Sequence, residues 1–145
     1  MRRVRTARMI PVLMVVCWLT LPAPAQYSGG SGIPEDPYQI ATAEDLIALG
    51  EEPNDYDKHV ILTADIDLDP NLPGGTVFDR AVIAPDVNDD ARGFQGTAFT
   101  GGFDGNGHKI SHLTIEGSEF LGLFGRIGSG ARISNLGLEV VDVRG

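Results

Sequence analysis

Cysteine is all but missing from this 145-residue chain: the one present, Cys17, precedes the point, after Ala25, at which the composition changes. Residues 26–145 therefore have no disulfide, no thiol nucleophile and no thiolate metal ligand. Burial and hydrogen bonding alone must hold them, and about 120 residues suffice for one core. Positive charge is scarce as well, with 11 Lys and Arg against 20 Asp and Glu. Four of those 11 (Arg2, Arg3, Arg5 and Arg8) fall before Gln26, so the remainder carries 7 − 20 = −13. Without clustered Lys and Arg the chain cannot neutralise phosphates, which argues against nucleic acid or an anionic membrane surface as a partner. No apolar run reaches the roughly 20 residues that a spanning helix needs.

What is present begins with an address. The four arginines precede an apolar stretch, Met9 to Leu21, and Ala23-Pro24-Ala25 supplies small residues where a signal peptidase reads. Residues 1–25 read as a signal peptide cleaved after Ala25, which predicts secretion and no membrane contact afterwards. The Gly-, Ser- and Pro-rich stretch 26–37 reads as a flexible leader. Residues 38–145 form the module proper.

Within it, Tyr38-Gln39-Ile40 suits a short strand. Thr42 is an N-cap with Asp45 completing a capping box, and Leu46, Ile47 and Leu49 give a short helix over 43–49 that Gly50 ends. Beyond it the pattern is strand-like: KHVILTADIDL (58–68), AVIA (81–84), and then an internal repeat. KISHLTIEG (109–117) matches RISNLGLEV (132–140), pairing Ile110 with Ile133, Leu113 with Leu136 and Ile115 with Leu138 at one constant offset. Gly107 and Gly130 keep that offset. A period in the low twenties with alternating apolar residues predicts an all-β fold, a β-solenoid of about 23-residue rungs capped by the short N-terminal helix. In FDGNGH, Gly105 and Gly107 are expected at the corners, where positive φ is needed. Phe103, Ile110, Leu113, Ile115, Leu123, Phe124, Ile133, Leu136 and Leu138 are the expected core.

FTGGFDGNGHKISHLTI followed by FLGLFGRIGSGARISNLGLEV resembles the GLUG-motif repeats of bacterial secreted and cell-surface proteins, with Gly122-Leu123-Phe124-Gly125 matching the motif's name. PYQIATAEDLIALG and HVILTADIDLD resemble the segment that precedes such repeats, so the likeness covers roughly residues 33–145. It implies a β-solenoid within a large surface-exposed protein, some immunoglobulin A1 peptidases and adhesin-like proteins among them. It implies no activity, and no catalytic residue carries over. Such proteins carry more repeats, so the chain reads as truncated at its C-terminus, the remainder of the longer repeat protein being one of its partners. The strand LEVVDV (138–143) is expected to leave an open apolar edge.

Chemistry-bearing residues are few in pattern. G-x-S-x-G and H-E-x-x-H are absent. Asp65, Asp67 and Asp69 resemble the start of a calcium loop, but the sixth and twelfth positions hold Pro70 and Thr76 instead of Gly and Glu. On a strand these carboxylates lie about 7 Å apart, which also suits a solvated face. PDVNDD (85–90) is the other loose calcium candidate. GGFDGNG fits neither the calcium nonapeptide nor a phosphate loop. His108 and His112 would lie about 13 Å apart on a strand, too far to share a metal. Asn135 is expected at a corner, bonding the backbone of the neighbouring rung. Together these readings predict a non-catalytic, structural or adhesive surface module that presents an extended face to a glycan or protein ligand and needs no cofactor. The readings beside it are the N-terminal part of a polysaccharide-processing β-helix enzyme and a calcium-dependent binding module.

Overall fold

The computed structural model describes residues 26–145; the expected signal peptide lies outside the described residues. Its elements in chain order are β1 (Tyr38–Ile40), α1 (Ala43–Glu51), a 3-10 turn (Pro53–Asp55), β2 (His59–Leu62), β3 (Ile66–Asp67), β4 (Gly102–Asp104), β5 (Lys109–Ser111), β6 (Thr114–Glu116), β7 (Arg132–Ser134), β8 (Gly137–Glu139) and β9 (Asp142–Arg144). The strands pair in parallel to make three small sheets: β1-β2-β4-β7, β3-β5-β8 and β6-β9.

The expectation of an all-β solenoid whose rungs follow the sequence repeat is corrected on both counts. The content is mixed, with a helix beside short strands, and the three small sheets are separate and do not close on one another. The spacing also differs. Phe103 lies against Ile133, Ile110 against Leu138, and Ile66 against Ile110, and none of these pairs stands at the offset of the repeat. The repeat does not mark positions that stack. It aligns β5 and the turn after it with β7 and the turn after that, strands of two different sheets. The shared feature is a strand, a residue at positive φ (His112, +56°; Asn135, +53°), and a further strand. The repeat copies a corner.

Strands β2, β4, β5 and β6 alternate inward and outward residues, as the two-residue period requires. Ile40, Leu62, Val60, Phe103, Ile110 and Ile115 all point inward and are almost fully buried. Phe124, from the GLFG segment, brings its ring 5.2 Å from Phe99 and 5.5 Å from Phe103. GLFG is held alongside 81–84 by Ile83 N–H to the Leu123 carbonyl (2.8 Å), Val82 N–H to that of Gly122 (3.3 Å) and Gly125 N–H to that of Ile83 (2.9 Å). The 81–84 stretch makes a single bridge rather than a strand. Leu138, expected in the core, is half exposed.

Helix α1 begins as its sequence dictates: Thr42 Oγ1 accepts the Asp45 N–H and the Asp45 carboxylate accepts the Thr42 N–H. Its end does not. Gly50 lies within the helix, where a Cβ would run into the Val82 carbonyl. This glycine serves close approach of the helix to residues 81–84 instead of termination. Residues 26–37 are likewise not a loose leader. Gly29 bridges Gln39, and Tyr27, 5% exposed, donates its hydroxyl to the buried Asp55 carboxylate at 2.7 Å. Burial, and then Asp55, push the Tyr27 hydroxyl well above the ordinary phenol range.

This packing makes the core and one exposed turn testable by substitution. Ile110→Ala removes a fully buried side chain and should lower the unfolding free energy by about 2–5 kcal/mol in urea titration. Val140, 71% exposed, holds φ at +50°, a conformation β-branched residues avoid. Val140→Asn should raise stability by about 1 kcal/mol, because Asn tolerates that region and no packing is lost.

Candidate functional site

The outward residues of the four-stranded sheet build the site. In register across β2, β4 and β7 run His59, Gly102 and Arg132, and beside them Ile61, Asp104 and Ser134. They line a groove of about 700 Å³ whose walls include Pro34, Pro37, Asp57 and Asn135. Gly102 makes its floor: a Cβ there would lie 2.8 Å from His59 Nδ1. Phe103, the aromatic of the central strand, points to the core and is 1% exposed. The open face thus offers charges of both signs, the hydroxyls of Thr100 and Ser134 and the amide of Asn135, with no exposed Phe, Tyr or Trp ring in the lining to stack on.

Asp104 is the fixed point of this surface. Its Oδ1 accepts the Asn135 amide at 3.0 Å and the Asn106 backbone N–H at 2.8 Å. These bonds, with the Arg132 charge nearby, hold its carboxyl below the usual carboxylate range. Asn135 therefore ties to a side chain of the preceding pass. The side-chain-to-backbone bond expected of it is made by Asn106, whose amide reaches the Leu62 carbonyl at 3.3 Å. At Gly105 a Cβ would collide with the backbone of Asn135 and Leu136, whereas Gly107 adopts φ of +77°. One of these corner glycines answers to crowding and the other to backbone conformation.

The acidic candidates lie on another sheet. Asp65 Oδ1 is 3.0 Å from His108 Nδ1, and Asp67 Oδ1 is 2.8 Å from His112 Nδ1. Asp69 accepts the backbone N–H (2.9 Å) and side-chain amide (2.8 Å) of Asn71. The Lys109 N–H, then His108, lower the Asp65 carboxyl, and the Asn71 bonds lower that of Asp69. Among the described residues no three His, Cys, Asp or Glu side chains come together in a group that could hold a metal. In the 85–90 loop, Asp86 is 2% exposed; its Oδ1 accepts the Gln95 N–H at 2.8 Å, while Oδ2 has no partner. Gly122 and Gly125 sit in the GLFG segment, away from the groove lining.

Sequence reasoning missed His59, Gly102 and Arg132 as neighbours. They come from three remote parts of the chain, at offsets that no repeat in the sequence carries.

No family model matches the chain, and no solved structure matches it. It is 35% identical over 122 residues to halomucin of Haloquadratum walsbyi, an alignment covering 80% of this chain and 1% of that protein. It is 34% identical over 119 residues to a protein of Evansella cellulosilytica described as a Gly-rich membrane protein, covering 77% of this chain and 12% of that one. The chain thus spans a small part of the length of each. Among the described residues no helix is long and apolar enough to cross a membrane.

Because the folded-state pKa of Asp104 is depressed, its contribution to stability is complete above its unfolded pKa of about 3.9 and fades as pH falls through the folded value. Asp104→Asn should therefore melt below the wild type at neutral pH, and the gap should close in melts recorded near pH 2, roughly two units beneath that unfolded value.

Proposed function

We propose that the chain is a non-catalytic, secreted and surface-exposed binding module whose groove takes an extended, hydroxyl-rich chain, a glycan in the first instance. The observation that carries this reading is the groove on the outer face of β2, β4 and β7, lined by His59, Asp104, Arg132, Ser134 and Asn135. Hydroxyl groups are donors and acceptors at once, and such a mixed lining offers both. With no exposed Phe, Tyr or Trp ring in the lining, recognition would rest on hydrogen bonds and hence on the pattern of hydroxyls. The names of the two relatives support a place at the cell surface or membrane. The resemblance of roughly residues 33–145 to GLUG-repeat proteins supports the same place, as one segment of a larger surface protein.

Calorimetric titration with neutral, amino-sugar and uronic-acid oligosaccharides tests the proposal. Arg132→Ala removes one charge-assisted hydrogen bond of about 1.5–3 kcal/mol and should weaken binding about tenfold or more. Heat from no sugar, or binding that Arg132→Ala and Ser134→Trp both leave unchanged, would sink it.

A further inference from the structure

One buried carboxylate stands without a full set of partners. Asp86, in the loop that follows residues 81–84, is 2% exposed, while residues 87–90 beside it are open to solvent. Its Oδ2 is the buried side-chain oxygen among the described residues that has no hydrogen-bond partner. A charged oxygen left bare in such a place costs free energy until a cation or a donor faces it.

The other oxygen fixes where the carboxylate points. Oδ1 accepts the Gln95 N–H at 2.8 Å and the Asn88 N–H at 3.5 Å, so the group lies between the two arms of the 85–96 loop. The arms come close there, since a Cβ on Gly96 would run into the Pro85 carbonyl. Oδ2 is thus aimed into the neck of the loop. The side chains near it in sequence, Asn88, Asp89 and Asp90, all carry oxygen, and Asn88 Oδ1 is turned to the Asp90 N–H at 3.2 Å.

Nothing positive in the protein meets Oδ2. Among the described residues Asp86 belongs to no ion pair. Arg80 stands within reach of its charge but is held by Asp79 at 2.9 and 3.3 Å. That bond first, and then the charges of Asp79, Asp89 and Asp86, raise the Arg80 guanidinium above the ordinary arginine range. Three acids therefore surround one cation that is already engaged.

We propose that the neck of the 85–96 loop holds a calcium ion, anchored by Asp86 Oδ2, with the Asn88 side chain and main-chain carbonyls of the loop as further ligands. Calcium takes about six to eight oxygens in flexible arrangements, whether carboxylate, amide or carbonyl. Magnesium demands a near-ideal octahedron, and zinc favours the nitrogen and sulfur that this loop, without His or Cys, does not offer. One inward carboxylate agrees with there being no group of three His, Cys, Asp or Glu side chains among the described residues. It sets the affinity in the range of extracellular calcium modules, about 0.1–1 mM. The ion would clamp the two arms that Oδ1 already joins, and with them Phe94, whose ring lies 5.3 Å from that of Phe120.

Calorimetric titration and thermal melting of the full chain, freed of metal with EDTA, test the site without any sugar. Calcium should bind in that range and raise the melting temperature, and magnesium at equal concentration should do far less. Asp86→Asn keeps an acceptor toward Gln95 and places an amide N–H₂ where Oδ2 stood; it should weaken calcium at least about tenfold. Asp69→Asn, in the other acidic stretch, should leave the titration unchanged. Far-UV circular dichroism checks each fold, and should Asp86→Asn not fold, the exposed Asn88→Ala decides by the same loss. No calcium effect up to about 10 mM, ten times the weak end of that range, would mean that a water or a proton satisfies Oδ2, and overturns the proposal. A calcium effect that survives Asp86→Asn, or that Asp69→Asn abolishes, overturns it too.

Discussion

The whole structure depends on parallel strands keeping their inward side chains in line. Val60, Phe103 and Ile133 form one such row, and Ile66, Ile110 and Leu138 another. A slip of one position in either would turn every apolar side chain outward and every charged one in. Nothing covalent enforces the line, since residues 26–145 have no cysteine. The rows are held by burial together with polar ties at the corners, of which the Asp104, Asn106 and Asn135 set is the fullest.

Those same ties shape the candidate site. The carboxylate that locks one corner also stands in the wall of the groove, so one residue both ties the corner and faces the open surface. The glycine at 102 is spared a side chain on the outer face, and the histidine and arginine on either side are thereby left facing a common space. The side chains of Asp65 and Asp67, by contrast, each lie within hydrogen-bond distance of a histidine further along the chain, which gives that side of the molecule a polar surface.

Much of the local structure could be read in the sequence. The capping box at Thr42 and Asp45, strand β1, and the inward residues Phe103, Ile110, Leu113 and Ile115 all follow from short-range pattern. What could not be read is long-range. The repeat that relates Ile110 to Ile133 is a local corner signature, and it masks the true pairing of Ile110 with Leu138. The offset between paired strands depends on how much chain each loop consumes, and loop length leaves no periodic trace. Gly50 illustrates the same gap. Its position suggests a helix end, while its reason is the Val82 carbonyl, a tertiary neighbour. The groove was hidden for this cause as well, since its lining comes from strands far apart in the chain.

The uneven spacing of the paired strands bears on how the chain reaches this state. β1 and β2 are separated by little more than the helix and the 3-10 turn, so they can meet early. β2 and β4 must wait for a much larger loop to close, including the long irregular stretch between β3 and β4. Contacts this remote in sequence slow folding, because loop closure costs entropy before any pairing compensates for it. The N-terminal strands and helix would thus serve as the template on which each later pass is laid down.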